Sequence, residues 1–266
     1  MEGEHTVSTY DNISELYEKW SSGDAVYQDT QTFYLNVLSQ VNRGHYLEIG
    51  IGTGRISLTA IQDNPISVTG IDISEKMLAL CRRNYAEMNS CCGSITFCHC
   101  DVLNLPFDKY FDGAIMPFRT IGHLLTNEEL QIMFEKVYHA LKPSGWFLFD
   151  HYMFSRQWAE EHNNVPILMY QDDKIVIEDR YHYDFEREFM HCQVIVNHQV
   201  YEEFDFRWLS PSIIRHYARK AGFEINSIMG EFDGTPWNEN SYEQIWCLKK
   251  PGNVDCAIPI YNVRVK

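Results

Sequence analysis

Apolar and polar positions along this 266-residue chain follow two rhythms that change near residue 151. In the first half, short apolar runs alternate with segments of helical spacing. Phe33, Val37, Leu38 and Val41 recur at helical intervals within Asp24 to Val41, and Asn42-Arg43-Gly44 ends that helix. Tyr46 to Ile49 reads as a strand, and Arg55-Ile56-Ser57-Leu58 opens the next helix. After the turn Asp63-Asn64-Pro65, a second strand runs through Val68-Thr69-Gly70-Ile71 to Asp72. Ser74 caps a helix over about Glu75 to Glu87, with Met77, Leu78, Leu80 and Cys81 as its apolar contacts. Ser94 to Cys98 and Phe111 to Met116 are the third and fourth strands. A helix capped by Thr126 or Asn127 follows, with Leu130, Phe134, Val137 and Leu141 on one face. Lys142-Pro143-Ser144-Gly145 stops it before the fifth strand, Trp146 to Asp150. Strands alternating with helices predict an α/β fold: a seven-stranded, mostly parallel, Rossmann-like sheet with helices on both faces.

Beyond His151 the pattern is β-rich. Ile175 to Ile177, Met190 to Val200 and Phe204 to Trp208 are broken by Asp172-Asp173 and near Asp184, and read as an antiparallel meander. About forty residues of this kind are too few and too polar to fold alone. The meander is therefore placed as an insertion over the active-site end of the sheet. Ser210-Pro211 starts a helix that ends at Ala221-Gly222-Phe223, and Glu243 to Leu248 closes the sheet. The boundaries are a helical lid segment over 1–44, the core over 45–163, and the antiparallel insertion over 164–209. Residues 210–249 complete the core and 250–266 form a tail, with an apolar patch at Ala257 to Val263.

The chemistry concentrates in Tyr46 to Gly54, Y-L-E-I-G-I-G-T-G. Glycines at 50, 52 and 54 let the backbone turn sharply and let a ligand come close. Asp72 ends the next strand 22 residues past Gly50, the place of an acid that reaches ribose hydroxyls. A dinucleotide site wants G-x-G-x-x-G with pyrophosphate on the helix N-terminus. Here the pattern is G-x-G-x-G, and Glu48 precedes it by two residues. A carboxylate repels a diphosphate and attracts an ammonium or a sulfonium. The turn therefore favours a nucleoside that carries positive charge.

On these residues the chain resembles the class I S-adenosylmethionine-dependent methyltransferases, whose first motif is similar to E-I-G-I-G-T-G-R. A second resemblance lies in A-L-K-P-S-G-W-F-L-F-D around the fifth strand. The resemblance implies S-adenosyl-L-methionine as cofactor and S-adenosyl-L-homocysteine as product. It implies cofactor binding by Glu48, Gly50, Gly52 and Asp72, with Ile73 and Val102 flanking adenine, Asp101 on its amino group, and Met116 at the end of the fourth strand. Read without the family, Asp101 is equally a loop acid capping local N–H groups.

The loop after the fourth strand, Pro117 to Leu124, should face the reacting atoms. It contains I-G-H-L at 121–124, which resembles sugar-amine and glycine N-methyltransferases, as does a tyrosine in an N-terminal L-Y segment. That makes His123 a candidate base or orienter and Tyr17 a hydrogen-bonding clamp, with Trp20 beside it on the substrate side. The plainer reading has His123 bonding the loop backbone. Arg119 departs from that subgroup: it would grip a substrate carboxylate or phosphate, or pair with a neighbouring acid. Tyr152, Phe154, Trp158, Trp208 and Trp237 either wall an amine or fill a core.

Formal charge of −15 and a pI near 5.1 disfavour DNA and RNA, leaving transfer RNA open. No stretch approaches the length of a membrane span, the acidic N-terminus is unlike a signal peptide, and eight cysteines read as cytoplasmic thiols. No C-x-x-C occurs, so no metal is expected. The crowd at Cys81, Cys91, Cys92, Cys98 and Cys100 reads as buried thiols ahead of a soft-metal or redox site. The function expected is methyl transfer to a small molecule, an amine nitrogen first and an oxygen next. A non-catalytic cofactor-binding subunit is the rival, RNA or protein methylation a third reading, and a homodimer through the meander is left open.

Overall fold

The computed structural model describes residues 10–23, 26–41 and 43–252. The expectations for residues 1–9 of the lid segment, Asp24, Asn42 and the apolar tail patch Ala257 to Val263 lie outside these residues.

After a 3-10 turn at Ser14–Leu16 come helices α1 (Tyr17–Ser21) and α2 (Tyr27–Gln40). The core then alternates: β1 (His45–Ile49), α3 (Ser57–Asp63), β2 (Ser67–Asp72), α4 (Glu75–Ala86), β3 (Ser94–His99), β4 (Phe111–Met116), α5 (Asn127–Ala140) and β5 (Leu141–Tyr152). Helix α6 (Arg156–His162) leads into β6 (Ile167–Gln171), β7 (Val176–Asp184), β8 (Phe189–Val196) and β9 (Gln199–Arg207). Helix α7 (Pro211–Lys220), β10 (Glu224–Met229) and β11 (Glu243–Lys249) complete the chain.

Seven strands form one sheet in the order β10-β11-β5-β4-β1-β2-β3, parallel except for β11, which runs against both of its neighbours. The strand alternation of side chains explains the layering. Leu47 and Ile49 of β1 face a layer with Phe134 and Val137 of α5 and Ile214 of α7. Tyr46 faces the opposite layer with Phe33 and Val37 of α2 and Ile61 of α3. Each fully buried side chain of this kind contributes about 1.5–3 kcal/mol.

Caps fall where small polar residues precede apolar faces. Ser74 Oγ accepts Met77 N–H at 3.0 Å, and Thr126 with Glu129 closes a reciprocal capping box on α5. Several details differ from the sequence expectation, among them strand β6, which was not foreseen from the sequence. Strand β5 starts at Leu141, because Leu141 pairs with Phe111 of β4, and Lys142 to Gly145 form an irregular strand entry in which Ser144 takes a positive φ of 67°. Helix α6 was not foreseen: it is one short, mostly exposed segment whose only strong signal is Ser155, capping Trp158 N–H at 3.3 Å.

Strands β6 to β9 form a separate four-stranded antiparallel sheet over residues 167–207. Its inner face, with Ile177, Val194, Val196, Phe204 and Phe206, does not bury itself. It packs on Ile13, Leu16 and Trp20 of the N-terminal segment. Leu209 N–H, at the return to α7, donates to His151 Nε2 at 3.1 Å and so ties this second sheet to the end of β5. No helix of the described residues is long and apolar enough to cross a membrane.

Candidate active site

The carboxyl ends of β1, β2 and β4 open onto a cavity of about 220 Å³. The glycine turn after β1 forms its floor. Gly50 and Gly52 have φ of +70° and +54°, closed to most side chains, and a Cβ on Gly52 would meet nothing within 4 Å, so that position stays open to a ligand.

Asp72, at the end of β2, is oriented by this turn: its Oδ2 accepts Gly52 N–H at 2.8 Å and its Oδ1 accepts Ser74 N–H at 2.9 Å. Burial pushes the Asp72 carboxyl up, against the pull of those bonds. Ile73, 39% exposed, and the buried Val102 stand beside the same cavity. Asp101 lines it too and accepts Leu103 N–H through Oδ1 at 2.9 Å. Among the described residues that line this cavity, Asp72, Asp101 and Glu129 carry carboxylates and none is lysine or arginine. An acid-lined cleft of this kind suits a cationic ligand and opposes a phosphate.

Glu48 lies behind the turn, 2% exposed, and lines a small adjoining space with Thr53 and Arg55. Ser57 Oγ donates to its Oε2, yet burial still lifts this carboxyl to about 7. Arg55 was not singled out from the sequence, although its place directly after the glycine turn was a signal. Its guanidinium lies 4.2 Å from the Tyr27 ring, 4.5 Å from Phe118 and 5.1 Å from Tyr17. Glu18 of α1 accepts from Thr53 Oγ1 and sits 3.7 Å from Arg55. These contacts lock α1 over the turn.

On the far side, Met116, Phe118, Thr120 and His123 approach from the end of β4. His123 Nε2 lies 2.6 Å from Tyr10 Oη. Burial pushes the imidazole down to about 4 and raises the Tyr10 phenol, so a neutral ring and a neutral phenol share one hydrogen bond. The imidazole also meets Phe204 and Phe206 of the second sheet, with ring centroids 5.4 and 5.1 Å apart.

The structure thus brings Gly50, Gly52, Asp72 and Ile73 together with Asp101, Val102, Met116, Tyr17 and His123 around one cavity. Tyr17 contributes a ring edge 5.7 Å from Tyr10, whereas the hydroxyl against His123 belongs to Tyr10. Nothing in the sequence marked Tyr10 above other aromatics of the segment. Trp20 packs behind Tyr10, and its Nε1 donates to the buried Asp179 at 2.7 Å. Arg119 turns away: its Nη2 is 2.7 Å from Glu243 Oε1, and its guanidinium lies 5.6 Å from the Tyr152 ring. Of the alternatives open for Arg119, the structure shows the ion pair. The five crowded cysteines carry free thiols, of which Cys81 is buried and Cys92 exposed, and no group of metal-binding side chains occurs among the described residues.

A family model described as a methyltransferase domain matches residues 47–145. A relative described as a methyltransferase, YqeM of Bacillus subtilis (strain 168), is 25% identical over 233 residues, covering 85% of this chain and 91% of its own. Two solved structures share the fold. The CcbJ methyltransferase from Streptomyces caelestis has a TM-score of 0.76 at 19% identity, covering 94% of this chain and 100% of its own. An S-adenosylmethionine-dependent methyltransferase from Clostridium acetobutylicum has a TM-score of 0.74 at 17% identity, covering 92% and 100%.

Proposed function

We propose that this chain, a class I S-adenosylmethionine-dependent methyltransferase, methylates a small molecule at an amine nitrogen held against His123. Its cofactor is S-adenosylmethionine, which when bound supplies a methyl group on a positively charged sulfur. In this reading Asp72 accepts the ribose hydroxyls, since each of its oxygens already holds one backbone N–H and keeps a lone pair for a ligand. Asp101 takes the adenine amino group, and Ile73 and Val102 flank the ring. Gly50 and Gly52 allow close approach. Glu48 faces the ammonium end, where a cation would hold it ionised.

The observation that carries the acceptor assignment is the Tyr10–His123 contact at the end of β4. A neutral imidazole accepts a proton from an attacking nitrogen, and a neutral phenol fixes the ring while it does so. The two aromatic rings of β9 keep water from the imidazole and orient it. Tyr17 walls the acceptor side, whereas Trp20, expected there from the sequence, packs behind Tyr10 and outside the cavity lining. In-line alignment of nucleophile and methyl is the main contribution asked of the protein, worth several kcal/mol.

A hydroxyl acceptor is the second reading, favoured by one fact: the group now bonded to His123 is itself a phenolic O–H. The test is turnover on acceptor pairs that differ only in the reacting atom, followed by release of S-adenosylhomocysteine. Amines should react and their hydroxyl counterparts should not; the reverse outcome would discard the nitrogen assignment. We further assign 1–44 as a lid and 164–209 as a substrate cap or dimer contact, in a cytoplasmic enzyme whose acidic charge disfavours nucleic acid.

A further inference from the structure

We infer that Asp150, which lies outside the cavity, is a positioning residue that sets the loop carrying His123. The inference rests on the reading of His123 as the acceptor-side group. Asp150 sits in β5 beside the end of β4 and is 1% exposed. Its Oδ1 accepts Phe118 N–H at 3.0 Å and the Tyr34 hydroxyl at 2.6 Å, and its Oδ2 accepts Arg119 N–H at 2.9 Å.

The two amides belong to consecutive residues in the left-handed region, with φ of 59° at Phe118 and 60° at Arg119. Neither is glycine, so each position is strained. Successive amides held this way make a small anion-binding concavity, and charge-assisted bonds to a buried carboxylate offset the strain. The chain then tightens at once into the 3-10 turn Thr120–His123, with Gly122 N–H donating to Arg119 O at 2.9 Å. No free joint separates the clamp from the imidazole. A shift of the two amides therefore moves His123 as a unit and breaks its 2.6 Å contact with Tyr10.

Only an ionised carboxylate satisfies all three donors. Asparagine would present an NH2 group to an N–H or to a hydroxyl proton. The charged and titratable neighbours are Tyr34 on α2, Arg119 on the loop, Glu243 on β11 paired with Arg119, Glu48 on β1 acting through Tyr34, and His151 next along β5. Burial lifts Asp150 to about 6, while the Tyr34 bond and Arg119 hold it down. Protonation on the acid side of neutrality should loosen the loop.

The test uses the full chain saturated with S-adenosylhomocysteine, and needs no acceptor. Histidine ring nitrogens are labelled with nitrogen-15, and the His123 signal is identified by its loss in His123→Gln. In Asp150→Asn the His123 signal should leave its wild-type position, while affinity for S-adenosylhomocysteine, by calorimetry, stays within about threefold. Tyr34→Phe removes one bond that favours the carboxylate. It should keep the loop but raise the pH at which the His123 signal responds, by about half a unit or more. If Asp150→Asn fails to fold, Tyr34→Phe decides the matter. His123 signals that match wild type from about pH 5 to pH 8 in the folded variants, or that move only in step with lost cofactor affinity, would overturn the inference. A wrong choice of accepting atom would leave these results untouched.

Discussion

Tyr10 Oη and His123 Nε2 stand 2.6 Å apart although 113 residues separate them in the chain. Three separate parts of the fold make that meeting: the N-terminal segment, the loop after β4, and Phe204 of β9, whose ring backs both. The pair is expected to act after the cofactor is bound. His123→Gln should lower methyl transfer by about 10²–10⁴-fold, and Tyr10→Phe by a smaller factor. Calorimetry with S-adenosylhomocysteine should show little change in either variant. Equal losses of binding and turnover would make His123 a scaffold residue.

Asp72 should behave in the opposite way. Its carboxylate orients the glycine turn through Gly52 N–H and offers charged acceptors to the ligand. Asp72→Ala should weaken S-adenosylhomocysteine about ten- to a hundredfold, the value of a charged hydrogen bond or two. Turnover at saturating cofactor should fall much less.

The buried Glu48 carboxyl gives a pH signature. Burial lifts it to about 7 in the folded protein, above the ordinary carboxylate value in the unfolded chain. Its contribution to stability is therefore present in full at low pH and lost as pH rises through about 7. A cationic ligand reverses the preference, because it attracts the ionised form. S-adenosylmethionine should bind more tightly as pH rises from 6 to 8, and Glu48→Gln should flatten that slope. Melting temperatures of the ligand-free pair should diverge from about pH 5 to pH 7, between the ordinary carboxylate value and the raised one, with the wild type losing ground as pH rises. A slope that survives in Glu48→Gln would assign the titration to another group.

Gly122 lies under the second sheet. A Cβ there would come within 2.2 Å of the Phe206 ring, which also touches His123 and His151. Gly122→Ala should cost about 1–3 kcal/mol by overpacking and should slow transfer more than it weakens cofactor binding. Thermal unfolding checks the first and paired binding and turnover assays the second. Trimming the ring in Gly122→Ala/Phe206→Leu should recover part of both. No recovery would mean that the damage comes from the 3-10 turn rather than from the contact.

Much of the core was legible because its signals are local. Strand runs, the helix caps at Ser74, Thr126 and Ser210, and the glycine turn each depend on residues within a few positions of one another. Strand β7 was seen only at Ile175 to Ile177, yet it continues to Asp184 through a polar, aromatic stretch. Such a strand is specified by its neighbour β8, residue by residue, and not by its own alternation. For the same reason Tyr10 and Tyr17 could not be ranked from their surroundings in the chain.

The amino-acid order by itself determined the nucleotide-type half of this protein: an apolar strand, a turn that only glycine permits, an acid ahead of it, and a second acid one strand later. Those features meet through short connections, so their spacing carries their geometry. The tertiary structure alone decided which hydroxyl meets His123, that Arg119 turns to Glu243, and that Asp150 holds two strained amides in place. Each of those contacts joins segments 30 or more residues apart. Over such distances sequence spacing says nothing about direction, and only the packing of both sheets against the N-terminal segment chooses the partner.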